Sequence, residues 1–363
     1  MWTKLLLILL LCSVCQAGQV IRYVDPDATP NGNDGTTWEK AYLSLFAWEA
    51  AEQTNLVTAG NYMTVYCRSS AGTADTTAIS ILGWTTSATN YIEIIGEDFP
   101  VNGIFDNTKY RLQKNVVAGN LIELREEYIR FTKIQFYVNK NNTNDARLIS
   151  QPWATIGANN AFYFTNCIFK AVCTSGQGST WAYYQDDSDA HSYFTNCTIS
   201  GFESPSTPGS EYYRGIYILD GTCDIYNCTF YGNSQGVIEA TAKGVTIKNC
   251  AFFGNSDDIY GTVTMSNSAT VDGDDTGNNG NMTITQTADD FAALVVDAAG
   301  GDFNITDANS ELYDAGESDI FDSDDDIIGT ARPQGSAWDI GAFEWIYVAP
   351  PAAGGQVIMI QEF

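Results

Sequence analysis

The sequence predicts an all-β solenoid, a parallel β-helix, because a short phrase recurs along the middle of the chain. The phrase is an Asn-Cys pair flanked by apolar residues. The pairs occupy positions 166/167, 196/197, 227/228 and 249/250. The steps between them are therefore 30, 31 and 22 residues, a range typical of arrays whose repeats stack and bury a shared core. Thr, Asn, Gly and Asp are abundant and Lys and Glu are scarce, which favours strands and bends over helices.

The residue types within each phrase predict which side chains face inward. The residue two positions after each cysteine is large and apolar: Phe169, Ile199, Phe230 and Phe252. A spacing of two puts both side chains on one face of a strand, so we expect the cysteines to fill the core as small hydrophobic groups. Asn tolerates left-handed backbone, so each Asn should mark a bend, where its amide can also bond to the Asn of the next rung.

The N-terminus has the features of a secretory leader, residues 1–17. Lys4 precedes an apolar run from Leu5 to Leu11, and Cys15 and Ala17 supply small residues before a cleavage site. A lipoprotein cleavage at Cys12 or Cys15 is the alternative, which the flanking residues fit poorly. No later stretch is long and apolar enough for a membrane helix. We therefore expect a secreted, extracellular protein without a membrane span.

The excess of acidic residues disfavours some classes of binding partner and suggests calcium as a cofactor. The chain has 44 acidic against 17 basic residues and a net charge of −27, which argues against nucleic acid and anionic membranes as partners. Carboxylates are ligands that Ca²⁺ prefers, although none here has EF-hand spacing, and a solvated acidic surface is the alternative. The predicted calcium ligands lie in three acidic stretches: Asp25, Asp27 and Asp34; Asp272, Asp274 and Asp275; Asp322 and Asp324.

Seven cysteines follow the leader, an odd number, so at least one thiol stays unpaired. Export would permit disulfides, and a bridge between Cys173 and Cys223 is conceivable. No Cys or His spacing suggests zinc, and His191 is the one histidine of the chain.

An N-terminal capping helix is predicted near residues 36–53. Thr36 and Glu39 have the spacing of a capping box. Apolar residues then follow at helical spacing: Trp38, Ala41, Leu45 and Trp48. We expect a helix over 38–53 that covers the open end of the solenoid, because an uncovered end would expose its apolar interior.

The remaining organisation is one elongated β-helix domain over residues 18–345, followed by a linker and a terminal strand over 346–363. The apolar run from Gln356 to Gln361 could pair with an exposed sheet edge in its own or another chain, which predicts self-assembly through the C-terminal strand. Long insertions interrupt the repeat at 139–159, 174–190 and 201–214, and we expect them to form loops that build a binding face. Their aromatic residues are the predicted ligand-binding side chains: Trp153, Trp181, Tyr183, Tyr184, Tyr212 and Tyr213.

Three parts of the sequence resemble one family. The opening stretch runs from Tyr23 through Asn31-Gly-Asn-Asp-Gly35 to Trp38, and the closing stretch from Asp314 through Arg332-Pro333 to Asp339-Ile-Gly-Ala-Phe-Glu344. With the Asn-Cys rungs, they resemble secreted or phage-encoded right-handed parallel β-helix proteins of the pectate-lyase-like superfamily. The resemblance implies a right-handed coil and export. The superfamily includes polysaccharide lyases, glycoside hydrolases, adhesins and phage tail proteins, so fold alone leaves the activity open.

The catalytic chemistry of these families is only partly represented. The lyases use Ca²⁺ and an Arg or Lys base. The basic residues near the middle coils are Lys170, Arg214, Lys243 and Lys248, which form no lyase signature. The hydrolases use paired aspartates, which Asp186-Asp187 resembles superficially, with Asp189 and His191 close by. The other hydrolase elements are absent. These four residues are the predicted catalytic set, with a solvated acidic loop as the alternative. Arg332 is expected to be a structural ion-pair partner of Asp339 or Glu344.

The leading functional hypothesis is a non-enzymatic, adhesin-like protein that binds polysaccharide or cell-surface glycans, or assembles into an extracellular or virion structure. Aromatic side chains in the insertions would stack on sugar rings; the alternative is that they pack the loops onto the coil. The alternative function is a Ca²⁺-dependent polysaccharide lyase or a galacturonase-like glycoside hydrolase that acts on acidic polysaccharide.

Overall fold

The structure, a computed structural model, describes residues 17–115, 118–141, 144–152, 160–174, 178–206, 209, 212–241, 243–272, 280–283, 293–307, 310–318 and 324–346. It is a right-handed parallel β-helix, as the sequence predicts, whose strands stack in register on three faces. The leader and the C-terminal strand expected from the sequence lie outside the described residues, apart from Ala17 and Ile346. Among the described residues, none of the helices has both the length and the apolar character needed to cross a membrane.

The first face is named the tyrosine face. Its strands are β1 (Gly18–Val24), β2 (Asn61–Cys67), β4 (Ile92–Gly96), β7 (Ile129–Thr132), β10 (Asn160–Thr165), the second halves of β12 (Thr180–Thr195) and β14 (Tyr213–Tyr226), β17 (Val245–Lys248) and β20 (Val263–Ser266). The second face, named the clasped face, is an eight-stranded sheet. Its strands are β5 (Arg111–Lys114), β8 (Gln135–Lys140), β11 (Ile168–Cys173), β13 (Thr198–Ser200), β15 (Thr229–Tyr231), β18 (Ala251–Phe253), β21 (Ala269–Thr270) and β22 (Met282–Thr283).

The third face is named the arginine face, and it corrects a prediction. Its strands are β3 (Ile79–Ile81), β6 (Gly119–Leu124), β9 (Ala146–Gln151), the first halves of β12 and β14, β16 (Gln235–Glu239) and β19 (Ile259–Tyr260). The insertions expected to be loops thus contain strands, because β9 and the first halves of β12 and β14 pair in parallel register. The expectation was wrong because this face carries no recurring phrase by which its strands could be aligned.

The bend between the tyrosine and clasped faces is the Asn position of the phrase, as predicted. The Asn residues there have φ between 47° and 55°, and Lys133 takes the same place with φ 56°. Hydrogen bonds between side-chain amides link two pairs of rungs: Asn196 donates to Asn166 (3.0 Å) and Asn249 donates to Asn227 (3.1 Å). The left-handed backbone is a conformation that Asn adopts more readily than most residues.

The interior is a stack of like side chains. Phe131, Phe164 and Phe194 stack at 5.4 and 4.6 Å between ring centroids, and the four cysteines of the phrase are fully buried. The seven described cysteines carry free thiols, so the conceivable Cys173–Cys223 bridge is not formed. Cys223 is itself buried inside the coil, where it acts as a small apolar group.

The N-terminal cap exists, but its helix is shorter than predicted. A 3₁₀ turn, Trp38–Lys40, is separated from helix α1 (Leu45–Glu52), which is followed by α2 (Leu56–Ala59). Ser44 is the N-cap and accepts a bond from the Ala47 amide (3.1 Å), whereas the Thr36 hydroxyl donates to Asp34 (2.6 Å) instead of capping a helix. Leu45 and Trp48 are fully buried, so α1 covers apolar core as expected.

The chain returns after the last rung and packs on the outside of the clasped face. This C-terminal clasp consists of the described residues of 293–346 and contains the antiparallel strands β23 (Val295–Asp297) and β24 (Asp302–Ile305). Its apolar contacts form a second core with the outward side chains of the face. That core includes Ile168, Ala251 and Ala269 of the face and Leu312, Ile327, Ile340 and Phe343 of the clasp.

A buried ion pair holds the end of the clasp together. Arg332 donates to Glu344 (3.2 Å) and to the carbonyls of Asp339 and Gly341 (3.0 and 2.9 Å), and both charged side chains of the pair are fully buried. The structural role expected for Arg332 is therefore confirmed.

Candidate functional site

The most distinctive group of polar side chains on the outer surface lies on the arginine face. We call it the arginine–aromatic cluster: Arg147, Trp181, Tyr184, Arg214 and Tyr217. Register pairs Arg147 with Trp181 and Trp181 with Arg214 on neighbouring strands, and pairs Tyr184 with Tyr217. The parallel register thus brings residues from three consecutive coils into two rows.

A local irregularity aims both rows outward. Between Trp181 and Tyr184, two successive residues are buried, and the same holds between Arg214 and Tyr217. Strict alternation would turn positions three apart to opposite sides of the sheet. Two inward residues in a row restore the outward direction, so the side chains at a spacing of three share one surface.

Guanidinium groups and aromatic rings alternate in the cluster. The Arg147 guanidinium carbon lies 4.3 Å from the Trp181 ring centroid and 4.7 Å from that of Tyr184. The Arg214 guanidinium carbon lies 4.2 Å from the Tyr217 centroid. The rings of Trp181 and Tyr184 are 5.1 Å apart, and those of Tyr184 and Tyr217 are 5.5 Å apart. Such cation–π contacts fix the orientation of the rings and of the positive charges.

Neither arginine of the cluster has an anionic partner in the part of the chain that the structure describes. Within the described ranges, neither Arg147 nor Arg214 forms an ion pair, and Arg214 instead donates from Nε to Gln235 (3.1 Å). Tyr184 donates its hydroxyl to Asp186 (2.9 Å), and burial, followed by this hydrogen bond, raises the Tyr184 pKa. In a chain of net charge −27, the cluster is a local positive site whose guanidinium groups keep donors without a partner among the described residues.

A second aromatic row runs along the tyrosine face. Tyr62 and Tyr91 stack at 5.2 Å, Arg130 lies 3.8 Å over Tyr91 and 5.1 Å from Tyr163, and Tyr163 stacks on Tyr193 at 4.7 Å. Cross-strand pairs of this kind stabilise a sheet in their own right. The row therefore has a structural role that requires no ligand.

His191 belongs to this second row, with a partner that the sequence analysis did not identify. Its Nε2 donates to Asp224 (3.0 Å), its Nδ1 lies within hydrogen-bond distance of the Tyr193 hydroxyl (3.3 Å), and its ring stacks on Tyr193 at 4.2 Å. Burial acts to raise the Asp224 pKa, but the hydrogen bond and charge of His191 outweigh it, so that pKa is lowered. The imidazole is thus oriented by a carboxylate and is partly exposed.

The four residues predicted to be catalytic do not share one cleft. Asp187 is buried and accepts bonds from Gln151 (3.3 Å) and from the Asp189 amide (3.0 Å), whereas Asp186 binds the outward Tyr184. Asp189 is exposed at the corner, and His191 lies on the tyrosine face. A catalytic role for these residues stays a prediction.

The predicted ligand-binding aromatics are divided by burial. Trp181 and Tyr184 meet in the arginine–aromatic cluster, and Tyr212 is 62% exposed. Tyr183 and Tyr213 are fully buried, which corrects their expected role, because a ring inside the coil has no face to offer to a sugar. Trp153 lies outside the described residues.

In the first stretch predicted to bind calcium, the carboxylates already form an ion pair and local hydrogen bonds. Asp25 pairs with Arg68 (3.0 Å), and Asp27 accepts from Ser69 and from the Ala71 amide (both 2.8 Å). Asp34 accepts from the hydroxyl and amide of Thr36, which lower its pKa to about 2.

The other calcium stretches are only partly described. Asp272 accepts a bond from the Asp258 amide (2.9 Å), the Asp324 carbonyl accepts one from the Arg332 amide (2.6 Å), and Asp274, Asp275 and Asp322 lie outside the described residues. Within the described part of the chain, no three His, Cys, Asp or Glu side chains are grouped to hold a metal ion. Calcium binding stays a prediction.

The four basic residues weighed as lyase bases are also separated. Arg214 belongs to the arginine–aromatic cluster, Lys243 pairs with Asp220 (3.1 Å) and Lys248 lies 3.8 Å from Glu317. Lys170 points to the outside of the clasped face, 5.5 Å from the Phe105 ring. They share no surface that could present several of them to one substrate.

The sequence prediction missed Arg147 and Tyr217, and the place of Arg214 beside them, although a signal exists. Trp181-x-x-Tyr184 and Arg214-x-x-Tyr217 have the same spacing, and register aligns them on neighbouring coils. Alignment on the Asn-Cys phrase alone could not reveal this, because β12 and β14 have different lengths between the two faces.

Comparison with known proteins identifies no relative by sequence. No protein-family model matches the chain, and no curated protein matches it. Among solved structures, the crystal structure of pectate lyase Pel9A is similar, with 17% identity, a TM-score of 0.30, and coverage of 91% of this chain and 97% of that one. A TM-score of this size carries no argument about the site, so the assignment of the fold rests on the strand pairing described above.

Proposed function

We propose that the protein binds a polysaccharide along its arginine face. The observation that carries this proposal is the arginine–aromatic cluster, in which three rings and two guanidinium groups share one partly exposed surface, and the guanidinium groups form no ion pair with any described residue. Aromatic faces stack on the apolar faces of sugar rings, and guanidinium groups donate hydrogen bonds to hydroxyl, carboxylate or sulfate oxygens. The cluster offers both kinds of contact side by side.

The scaffold suits an extended ligand. Successive coils repeat at ~4.8 Å, so that a polymer lying along the stack meets equivalent positions on each coil. Register continues the row of Tyr184 and Tyr217 through the buried Ile238 to Tyr260, whose side chain is 60% exposed. Side chains on paired strands lose little freedom on binding, which favours affinity.

The charge distribution supports a ligand with anionic groups. Most of the molecule would repel a polyanion because the net charge is −27, whereas the two arginines attract one. An acidic polysaccharide would therefore be directed to this surface and away from the others.

Binding should be measured by isothermal titration calorimetry against a set of neutral and acidic polysaccharides. Trp181→Ala and Arg214→Gln should each raise Kd about tenfold or more, as is typical of central anchors. The matched controls are Tyr91→Ala on the tyrosine face and Arg125→Gln, which removes an exposed arginine already paired with Glu123 (3.0 Å). Loss of binding in the controls but not in the cluster variants would refute the assignment.

The alternative is an enzyme, a polysaccharide lyase or glycoside hydrolase, and the observation that favours it is the oriented imidazole of His191. An Asp-bound, partly exposed histidine can act as a general base. Incubation with the bound polysaccharide, with and without Ca²⁺, would give new unsaturated or reducing ends if this alternative holds. His191→Gln should then abolish turnover and leave Kd unchanged, whereas intact polymer in every reaction would refute it.

The proposed function places the protein outside the cell, where surface glycans are found. The leader over residues 1–17 motivates this proposal. N-terminal sequencing of protein recovered from the medium should then begin at Gly18, and retention of the leader would contradict it.

A further inference from the structure

Strand β1 ends the tyrosine face, with β2 on one side of it. The Gly18 amide bonds to the Gly60 carbonyl (2.8 Å) and the Val24 carbonyl accepts from the Arg68 amide (3.0 Å). Residues at even positions of β1 therefore direct their backbone groups toward β2. In a parallel ladder the groups of the odd positions point the opposite way, toward the edge of the sheet.

That edge is occupied at one end and open at the other. At Tyr23 the amide bonds to Gly35 and the carbonyl accepts from Tyr42 (both 2.9 Å). Gln19 and Ile21 have the same orientation, but in the described part of the chain neither amide has a partner on this side. The Gln19 carbonyl has none either, and the Ile21 carbonyl accepts from the Arg22 side chain (2.9 Å). An open parallel edge is a template for another strand.

The chain carries a second copy of the sequence found at this edge. Gly18-Gln-Val-Ile21 recurs as Gly355-Gln-Val-Ile358, near the C-terminus. If the two are paired in parallel and in register, each residue faces its identical partner. The Gln19 and Gln356 amides can then form a ladder, and Val357 comes to lie over Val20, which packs against the end of the core.

The position where the described chain ends favours a second molecule as the donor. Trp345 bonds to Asp339, Gly341 bonds to the Asn249 carbonyl and Ala342 bonds to the Thr229 hydroxyl, so the chain approaches Ile346 from the rungs of β15 and β17. Six strand steps separate β14 from β1, about 29 Å at ~4.8 Å each. The nine residue steps from Ile346 to Gly355 span about 31 Å when fully extended. The tail would have to be almost fully extended to reach the edge of its own β1, whereas a second copy can approach without that constraint.

We propose that residues 355–358 of one molecule add as a parallel strand to the open edge of β1 in a second molecule, in register with residues 18–21, which leaves the bonds of Tyr23 to Gly35 and Tyr42 in place. Each chain then has one donor segment and one acceptor edge. Such a head-to-tail contact does not close on itself in a dimer and generates open chains of molecules. This inference is independent of polysaccharide binding, which uses another face.

The first test is the mass in solution as a function of concentration, by light scattering, for the full chain and for a variant that lacks residues 354–363. The full chain should grow in mass with concentration, and the shortened chain should stay monomeric. Equal mass of the two proteins at every concentration would overturn the proposal.

The second test uses a labelled peptide of residues 354–363 and the shortened protein, by fluorescence anisotropy. In the proposed register the Val357 amide faces β1 and the Ile358 amide faces away. Val357→Pro in the peptide should weaken binding about tenfold or more, and Ile358→Pro should weaken it less than about threefold. Equal effects would refute the register, and absence of binding by the unmodified peptide would refute the edge.

The acceptor can be tested without disturbing the fold. Ile21→Pro removes an outward amide and leaves the bonds between β1 and β2 in place, because those come from even positions. The peptide should then lose binding while the thermal midpoint changes little. Tight peptide binding to the shortened protein together with a strictly monomeric full chain would mean that the tail occupies its own edge, and would overturn the intermolecular proposal.

Discussion

The clasped face and the arginine face are built on the same coils, yet one is sealed by the chain and the other is open. Both are parallel sheets in register, with inward side chains that join one core. Their outward side chains differ. The clasped face presents small or aliphatic residues such as Ile168, Thr229 and Ala251, and the arginine face presents Arg147, Trp181 and Arg214.

The comparison indicates that the inward residues specify the coil. The outward residues determine whether another segment of the chain packs on a face or leaves it to solvent. On the clasped face the backbone of the clasp comes so close that the Ala342 amide bonds to the Thr229 hydroxyl (3.0 Å). Gly341 makes this approach possible, since its φ is 106° and a Cβ there would lie 2.9 Å from the same hydroxyl. On the arginine face, Arg147, Trp181 and Arg214 are partly exposed, so this surface is available to a ligand.

Breaking the seal should have the largest effect. Glu344→Ala leaves the fully buried Arg332 without its carboxylate, and the free energy of unfolding should fall by about 3–5 kcal/mol. Urea denaturation measures this, and polysaccharide binding by the arginine face should persist below the transition. Glu317→Ala, at the partly exposed pair with Lys248, is the control and should cost less than about 1 kcal/mol. Equal losses would show that the clasp is not held by the buried pair.

The corner that leads from the clasped face into the arginine face should respond to pH. Burial, and next the nearby Asp272, raise the pKa of Asp258 to about 6, against ~3.9 when unfolded. The folded state thus favours the protonated form of Asp258. Its contribution to the free energy of unfolding is therefore fully present below about pH 4 and is lost as the pH rises through 6.

The measurement is the free energy of unfolding at pH 4.5 and pH 7.5 for the wild type and for Asp258→Asn, which cannot titrate. The free energy of unfolding of the wild type, relative to that of Asp258→Asn, should be greater at pH 4.5 than at pH 7.5 by on the order of 2 kcal/mol. An unchanged difference for Asp258→Asn would contradict the raised pKa.

The opposite corner, between the tyrosine and clasped faces, should depend on left-handed backbone. Asn227 has φ 50° and accepts the Asn249 amide. Asn227→Ala loses both the amide and the tolerance of this conformation, whereas Asn227→Gly loses only the amide. Alanine should therefore be the less stable of the two by about 1 kcal/mol in thermal or urea unfolding. The reverse order would mean that the backbone is not strained there.

The smallest expected effect is a gain at the same corner. Lys133 occupies the Asn position with φ 56°, so that Lys133→Gly should raise the free energy of unfolding by about 0.5 kcal/mol. Lys248→Gly, in a regular strand, should lower it and serves as the matched control. A loss at Lys133 would show that its side chain contributes more than the backbone conformation costs.

Much of the coil could be predicted from the sequence because its inward positions repeat. The Asn bends, the buried cysteines, the cap residues Leu45 and Trp48 and the structural role of Arg332 all follow from local patterns. The extent of the cap helix could not be predicted as well. Thr36 and Ser44 are both possible N-caps and lie within ten residues of each other. The Thr36 hydroxyl donates its hydrogen bond to Asp34, so Ser44 caps the helix.

The candidate site was less predictable because it depends on register between distant residues. A run such as Trp181-Ala-Tyr-Tyr184 does not reveal which ring points inward, and the two successive buried residues reverse the order that alternation predicts. Their residue type and place in an insertion selected Trp181 and Tyr184, but the same criterion wrongly included Tyr183 and Tyr213. Arg147 lies 34 residues before Trp181, with which it is paired in register. Only strand pairing joins them.

The C-terminal clasp has a consequence for the order in which the molecule matures. A chain is synthesised from its N-terminus, and solenoid coils can form as they emerge. The strands of the clasped face therefore exist before the clasp, and side chains such as Ile168 and Ala251 meet water until residues 324–346 arrive. A nascent or prematurely terminated chain would present an adhesive apolar surface that the finished chain conceals. The clasp thus covers apolar side chains that the coils alone would expose to water.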